Sequence, residues 1–381
     1  MTPTALVTYS VKPRGGVVHT LHLAEALHQA GYPVRVVALG DPGAGFFRPV
    51  RAPYTIVPAP PHLPTLEERV FASVDALAAG LAGVAGDYPI LHTQDCISAR
   101  AAVTTAVTVV RTVHHVDDFT SQALIDCQRQ AILEPDKILV VSEQWRRILR
   151  DDYGVMATVV PNGVDAGRFQ AADPRLAATL RAGAGAAGRP LILTVGGIEP
   201  RKGSDTLVKA IALLRDRDPV LVVIGGHSLQ DYRAYREGVF SLLPGLGLDL
   251  GRDVVLPGTV ADADLPAWFA AADVFAFPST KEGWGLVVLE AMSAGLPVVA
   301  SDLPVFREYL RPGRDALLVP TGDPAALAGV LASVLDDRGL AGRLRAAGRA
   351  VAARYTWAAS AAEHQTIYAG LAKEHHRQAY S

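Results

Sequence analysis

The stretch Pro278-Ser279-Thr280-Lys281-Glu282-Gly283-Trp284-Gly285-Leu286-Val287-Val288-Leu289-Glu290-Ala291-Met292 decides the reading of this chain. Ahead of it, Asp273-Val274-Phe275-Ala276-Phe277 is short, apolar and partly β-branched or aromatic, the profile of a buried strand. Residues 286–294 combine good helix formers with helical apolar spacing, and Gly295-Leu296-Pro297 supplies a stop. The unit is therefore strand, glycine-bracketed loop, helix, then a further strand at Val298-Val299-Ala300. In an open parallel sheet, ligands collect at the carboxyl ends of strands, where helix N-termini offer unpaired N–H groups. Glu282 falls in that loop and Glu290 in roughly the first turns of the helix.

Gly283 and Gly285 let the backbone come close to a ligand, and their N–H groups can bond hydroxyls or phosphate oxygens. A carboxylate accepts two hydrogen bonds side by side, which suits the vicinal hydroxyls of a ribose or a hexose. The bare spacing of two glutamates reads better as a solvated helix-start glutamate plus an exposed one. In its full context the segment resembles the E-x7-E segment of retaining, family-4-like glycosyltransferases with the two-domain GT-B fold. That resemblance implies an α/β protein of two doubly wound, Rossmann-like parallel-sheet domains facing each other across a cleft.

Composition agrees. A chain of 381 residues allows two or three domains, and 50% hydrophobic residues can fill more than one core. Charged residues make up 19%, the net charge is −2 and the pI is near 6.6, so no global field recruits nucleic acid. Cys96 and Cys127 lie in no C-x-x-C pair and read as reduced thiols, with neither zinc site nor disulfide framework. The first residues run into a strand without a signal-peptide pattern, and no stretch reaches the roughly 18 apolar residues of a membrane span. The expectation is a cytoplasmic monomer or homodimer. Trp145-Arg146-Arg147-Ile148-Leu149-Arg150 is a short basic amphipathic patch that reads as a solvated helix face rather than a membrane anchor.

Along the chain, strands are expected at 5–9, 34–38, 55–57, 89–92, 108–113, 138–141 and 158–160, with helices between, as at 17–29, 66–84, 99–105 and 121–133. The second half repeats the theme, with strands at 191–195, 220–224, 254–256, 273–277, 297–300 and 316–319 and helices such as 205–214 and 265–272. This alternation argues for two parallel doubly wound sheets. The boundary falls at the turn Pro161-Asn162-Gly163. Domains are expected at 1–163, binding acceptor, and 164–360, binding nucleotide sugar; the resemblance adds a C-terminal helix, 361–381, returning to the first. Gly183-Ala184-Gly185-Ala186-Ala187-Gly188 matches G-x-G-x-x-G, but a helix precedes it and a strand follows, the reverse of a dinucleotide fingerprint. It reads as a flexible linker.

Three further segments end expected strands. Lys12-Pro13-Arg14-Gly15-Gly16-Val17 resembles the family's glycine-rich first loop, whose Gly15 and Gly16 approach donor phosphates and acceptor. Thr112-Val113-His114 resembles the T-x-H segment whose histidine reaches the transferred sugar, with His115, Asp117 and Asp118 as acceptor-side candidates. Gly196-Gly197-Ile198-Glu199-Pro200-Arg201-Lys202-Gly203 resembles the G-R-x-x-x-x-K-G phosphate loop, with Lys202 as diphosphate cation. Gly197 departs from the pattern by standing where an arginine is usual, and Arg201 is the residue placed to take over.

Val223-Ile224-Gly225-Gly226-His227 and Leu256-Pro257-Gly258-Thr259-Val260 resemble the segments flanking the nucleotide base, and Pro161-Asn162-Gly163-Val164-Asp165 the N-G-V-D crossover. The resemblance implies transfer of a sugar from a nucleotide-diphosphate sugar to a small-molecule or glycan acceptor with retention of configuration. Glu290 would hold the ribose, Glu282 with the backbone of Gly283, Trp284, Gly285 and Leu286 the sugar, and His114, Arg201 and Lys202 would complete the catalytic set. No cofactor or metal is expected: Asp216-Arg217-Asp218 falls in a loop after a helix, and in Asp262-Ala263-Asp264 the second aspartate reads as a helix N-cap. The alternatives are a sugar phosphorylase or nucleotide-sugar epimerase on the same fold, or a non-catalytic sugar-nucleotide binder, which the glycine at 197 suggests.

Overall fold

The structure, a computed structural model, describes residues 1–226 and 232–379, with side chains through residue 373. His227, expected beside the base, lies outside the described residues. The chain divides into two compact units, Met1–Gly163 with Trp357–Ser381, and Val164–Thr356.

The first unit holds β1 (Thr4–Thr8), β2 (Val34–Gly40), β3 (Tyr54–Pro58), β4 (Ile90–Thr93), β5 (Thr108–Val113), β6 (Lys137–Val140) and β7 (Thr158–Val159) in the order β3-β2-β1-β4-β5-β6-β7. The second holds β8 (Leu191–Val195), β9 (Val220–Ile224), β10 (Val254–Gly258), β11 (Val274–Phe277), β12 (Val298–Ser301) and β13 (Leu317–Val319) in the order β10-β9-β8-β11-β12-β13. Every described pairing is parallel. Helices cover both faces of such sheets, so the strands read as unbroken apolar runs: β9 is Val-Leu-Val-Val-Ile and wholly buried. Behind β8, β9 and β11, Ile192, Leu221 and Val274 pack against Leu207, Ile211, Leu327 and Leu331 from helices.

Strand order reverses between β1 and β4 in the first unit and between β8 and β11 in the second. Such switch points open crevices at the strand carboxyl ends. Gly15 and Gly16 follow β1, Gln94 follows β4, the Gly196 to Lys202 loop follows β8, and Glu282 follows β11. Each unit thus delivers some of its candidate residues to its own switch point, while His114 follows β5, Gly225 follows β9 and Gly258 ends β10.

The helix Trp357–Ala379 belongs to the first unit and packs on the helix Gly15–Gln29. It buries Tyr368 completely, and the Tyr368 hydroxyl sits 2.6 Å from His92 Nδ1 on β4. Among the described residues no helix is long and apolar enough to cross a membrane.

Three local expectations need correction. Gly15 and Gly16 are not loop residues but the first two residues of a helix, with Arg14 at its N-cap. The Gly/Ala run 183–188 is no flexible linker. The Arg181 guanidinium donates to the carbonyls of Ala186, Arg189 and Ala271, which closes the turn and leaves Ala186 fully buried. Asp264 precedes the helix Leu265–Ala271 but makes no side-chain cap, because residues 262–264 already form a 3-10 turn that places Asp264 in helical geometry. The basic patch is the solvated helix face expected of it: Arg146, Arg147 and Arg150 face water, while Trp145 and Leu149 are buried in the core with Val113 and Val140.

Candidate functional site

The second unit's cluster is built by two loops clamped together. After β8, a 3-10 turn over Pro200–Lys202 ends at Gly203, whose φ is +63°. A Cβ there would lie 2.1 Å from the Pro278 carbonyl oxygen, so only glycine lets the loop after β8 press on the loop after β11. The Thr280 N–H then donates to the Arg201 carbonyl at 2.8 Å.

This clamp brings charge together. Lys202 Nζ lies 2.6 Å from Glu282 Oε1, Arg201 NH1 lies 3.5 Å from the same oxygen, and Arg201 Nε lies 3.1 Å from Glu199 Oε2. Lys202 Nζ also sits 4.6 Å from the centre of the Phe277 ring. Glu282 and Glu199 are both buried, whereas Arg201 is partly open to water. Burial pushes the Glu282 carboxyl up, but Lys202 and Arg201 outweigh it and hold the group below its ordinary range. Burial lowers the Lys202 pKa, an effect that Glu282 only partly offsets.

Gly197 occupies φ +75°, and a Cβ on it would meet the Gly226 carbonyl oxygen at 2.8 Å. An arginine at this position is excluded twice over, by backbone conformation and by contact. The N–H groups of Gly196 and Gly197 both turn to the Ile224 carbonyl, and the Gly225 N–H donates to Gly258. Gly196, Gly197, Gly225, Gly258 and the exposed Thr259 therefore border one another at the ends of β8, β9 and β10, with Val260 following.

Glu290 has a different setting. It lies in the helix Leu286–Ala294, is 8% exposed, and among the described residues no hydrogen-bond partner engages its carboxyl. Burial pushes its pKa up to about 7, against the pull of Arg168 and with the help of Asp262. Those two form their own ion pair at 3.0 Å. The Trp284 side chain is an anchor rather than a ligand surface. It is buried, stacks on Tyr309 with ring centres 4.8 Å apart, and its carbonyl accepts from the Tyr309 hydroxyl at 3.0 Å. Only its backbone, beside Gly283, Gly285 and Leu286, borders the loop.

In the first unit, Gly16 and His114 meet: a Cβ on Gly16 would lie 3.8 Å from His114 Cδ2. His114 Nε2 is 3.0 Å from Gln94 Oε1, and the His19 ring packs edge-on at 4.6 Å. His19 Nδ1 donates to Asn162 Oδ1 at 2.8 Å, which gives the expected crossover turn a structural role. Arg14 donates to the Tyr9 hydroxyl. His115 pairs with Asp117 at 3.4 Å, and Asp118 is exposed.

Sequence reasoning missed Gln94, His19, Glu199 and Arg168. Gln94 carries no motif; its place after β4, at the strand-order reversal, is given by the fold. Among the described residues no group of three or more His, Cys, Asp or Glu side chains is arranged to hold a metal ion.

Residues 13–168 match the family described as Glycosyltransferase Family 4, and residues 189–337 match Glycosyl transferases group 1. The chain is 32% identical over 378 residues to the phosphatidyl-myo-inositol mannosyltransferase of Mycobacterium leprae, covering 96% of this chain and 95% of that one. It is 33% identical over 319 residues to the D-inositol 3-phosphate glycosyltransferase of Streptomyces scabiei, covering 77% of this chain and 70% of that one. The solved sucrose-phosphate synthase of Thermosynechococcus elongatus matches with a TM-score of 0.81 at 25% identity, over 98% of this chain and 100% of that one. With two doubly wound parallel sheets and glycine-clamped loops at their switch points, this chain belongs to the group 1, family 4 glycosyltransferases of GT-B fold, enzymes that draw on a nucleotide-sugar donor.

Proposed function

We propose that the enzyme moves a hexosyl group from a nucleotide-diphosphate sugar to an inositol-bearing acceptor, with retention at the anomeric carbon and without a metal ion. The observation that carries the donor half is the convergence of Lys202 and Arg201 on one oxygen of Glu282. A donor diphosphate entering this loop takes the two cations, and Glu282 is freed to accept from sugar hydroxyls. The rigid Gly197 leaves no place for an arginine there, which supports Arg201 as the second cation. Glu290, with an unengaged carboxyl, suits the ribose hydroxyls. The first unit receives the acceptor at its own switch point, near His114.

In the chemical step the bond from the anomeric carbon to the diphosphate oxygen breaks, and its electron pair leaves with the nucleoside diphosphate. The acceptor hydroxyl oxygen attacks the same face, and its proton passes to the departing phosphate oxygen. No separate protein base is needed. Lys202 and Arg201 stabilise the developing negative charge. The acceptor class is supported by two relatives whose names carry inositol, one as a lipid and one as a soluble phosphate.

The test is an assay crossing UDP-, GDP-, ADP- and TDP-sugars with myo-inositol phosphate and with vesicles containing phosphatidylinositol, the product read by NMR. One pairing should give a glycoside of the donor's own anomeric configuration, at a rate unchanged by EDTA. An inverted product, or activity lost on chelation and restored by manganese or magnesium, would overturn the mechanism; turnover with neither acceptor would overturn its acceptor half.

A further inference from the structure

Gln94 is 3% exposed and its backbone is pinned: its N–H reaches the Val7 carbonyl at 3.1 Å and Ser98 Oγ at 3.2 Å, and the next residue, Asp95, caps the helix Cys96–Ala102. From this fixed base its side-chain carbonyl oxygen reaches His114 Nε2. The Gln94 amide turns its oxygen to the ring and leaves its own NH2 buried without a partner; in this orientation the oxygen only accepts, so Nε2 carries the proton, and a neutral imidazole then keeps a lone pair on Nδ1. The Cδ2 edge of the ring faces Gly16, and among the described residues nothing engages Nδ1. We infer that Gln94 is a positioning residue that locks His114 in the Nε2–H tautomer, so that Nδ1 stands as a bare acceptor for a hydroxyl of the substrate received by the first unit. The inference rests on the reading above that the first unit receives the acceptor.

The surroundings keep the ring in the required state. Burial, with the fields of His115, Arg111 and His364, pushes His114 down to about 3. His19 packs on it edge-on and His92 lies within its field. None of these groups is a carboxylate, so the imidazole stays neutral at working pH and its tautomer is set by the amide. A locked acceptor is also selective. It rewards a substrate hydroxyl that donates, and gives nothing to a deoxy analogue lacking one at that place.

The experiment is long-range 15N NMR of His114 in the intact protein, combined with turnover of three forms. The wild type should show a protonated Nε2 and a bare Nδ1. Gln94→Leu should give a tautomer mixture and a roughly tenfold lower kcat, with nucleoside diphosphate affinity unchanged. Gln94→Glu keeps an acceptor but places a negative charge on the ring, which raises the His114 pKa. Its kcat should match the wild type at alkaline pH and fall on acidification, as protonation removes the Nδ1 lone pair. A wild-type ring protonated at Nδ1, or a Gln94→Leu protein with unchanged tautomer and kcat, overturns the inference. If Gln94→Leu does not fold, an unaltered acid limb in Gln94→Glu does the same. Failure of every nucleoside diphosphate to bind the wild type would instead remove the donor reading, while the NMR tautomer would still be decided.

Discussion

The two units share one architecture but finish their strand ends differently. In the first, His19, His92 and His364 are buried and His114 is half-buried, and their hydrogen-bond partners are Asn162, Tyr368, Thr112, Gln94 and the Ser360 carbonyl, none of them charged. In the second, Lys202 and Arg201 meet Glu282 and Glu199. Burial by itself favours the neutral form, and all four imidazoles are pushed down. Glu282 is just as buried, yet a cation 2.6 Å away keeps it ionised. Glu290, with no cation bonded to it, is pushed up instead. The lesson is that local pairing, not depth, decides where charge survives. That suits a diphosphate site in one unit and a neutral orienting site in the other.

Lys202→Ala attacks the contrast hardest. It removes the cation from the diphosphate and strands Glu282, so turnover should drop about 10³-fold. Stability should fall as well, by something like 3–5 kcal/mol for a broken buried pair. Steady-state kinetics and thermal melts check both, and a variant that keeps wild-type turnover would mean the charged site is not catalytic.

Arg201→Ala should cost about 10²-fold, since this side chain is more open to water. Gly197→Arg should not rescue it and should itself destabilise by about 1–3 kcal/mol, because the position needs a left-handed backbone and abuts Gly226. Rescue by that second change would show that the loop can rearrange to the usual arginine geometry.

Glu290→Gln should weaken nucleoside diphosphate binding about tenfold, in line with one charge-assisted contact, while Glu282→Gln should leave it nearly intact and depress turnover. Because Glu290 titrates near 7, wild-type nucleotide affinity should rise between pH 6 and 8 as the carboxyl ionises, and Glu290→Gln should lose that slope. Isothermal titration across pH reads it, and equal slopes would place the proton elsewhere.

The smallest effect separates the units by stability. Histidines with depressed folded values bind protons more readily when unfolded, so the first unit should lose stability as pH falls below about 6.5. Glu290 works the other way. Its raised value makes the folded second unit bind the proton more tightly, so its contribution improves as pH falls from about 7 toward 4.5. Hydrogen exchange resolved by unit, corrected for intrinsic rates, should show the first unit loosening first.

Much of the frame was legible in the chain. Alternating apolar runs and helical spacing located the strands to within a residue or two, as at β11, expected from Asp273 and observed from Val274. The places of Lys202 and Glu282 in loops after strands, and of Glu290 in the helix that follows β11, were readable from the strand–loop–helix pattern. What was not readable is who meets whom. The Lys202–Glu282 pair spans 80 residues of sequence, and the histidine cluster is assembled from positions 19, 92, 114 and 364, no two on the same element. Composition misled at 183–188, where small residues suggested mobility and a single arginine closes the turn. Gln94 carried no motif, and its meaning appears only once β4 is placed at the switch point.

The central claim is that the second unit's charged cluster holds the donor diphosphate. Its most direct test is titration of UDP, GDP, ADP and TDP into the wild type and Lys202→Ala, followed by melting temperature. One diphosphate should stabilise the wild type by about 2.7 kcal/mol at 100 times its dissociation constant. That stabilisation should vanish in Lys202→Ala. No shift with any of the four, or an equal shift in both proteins, would contradict the account.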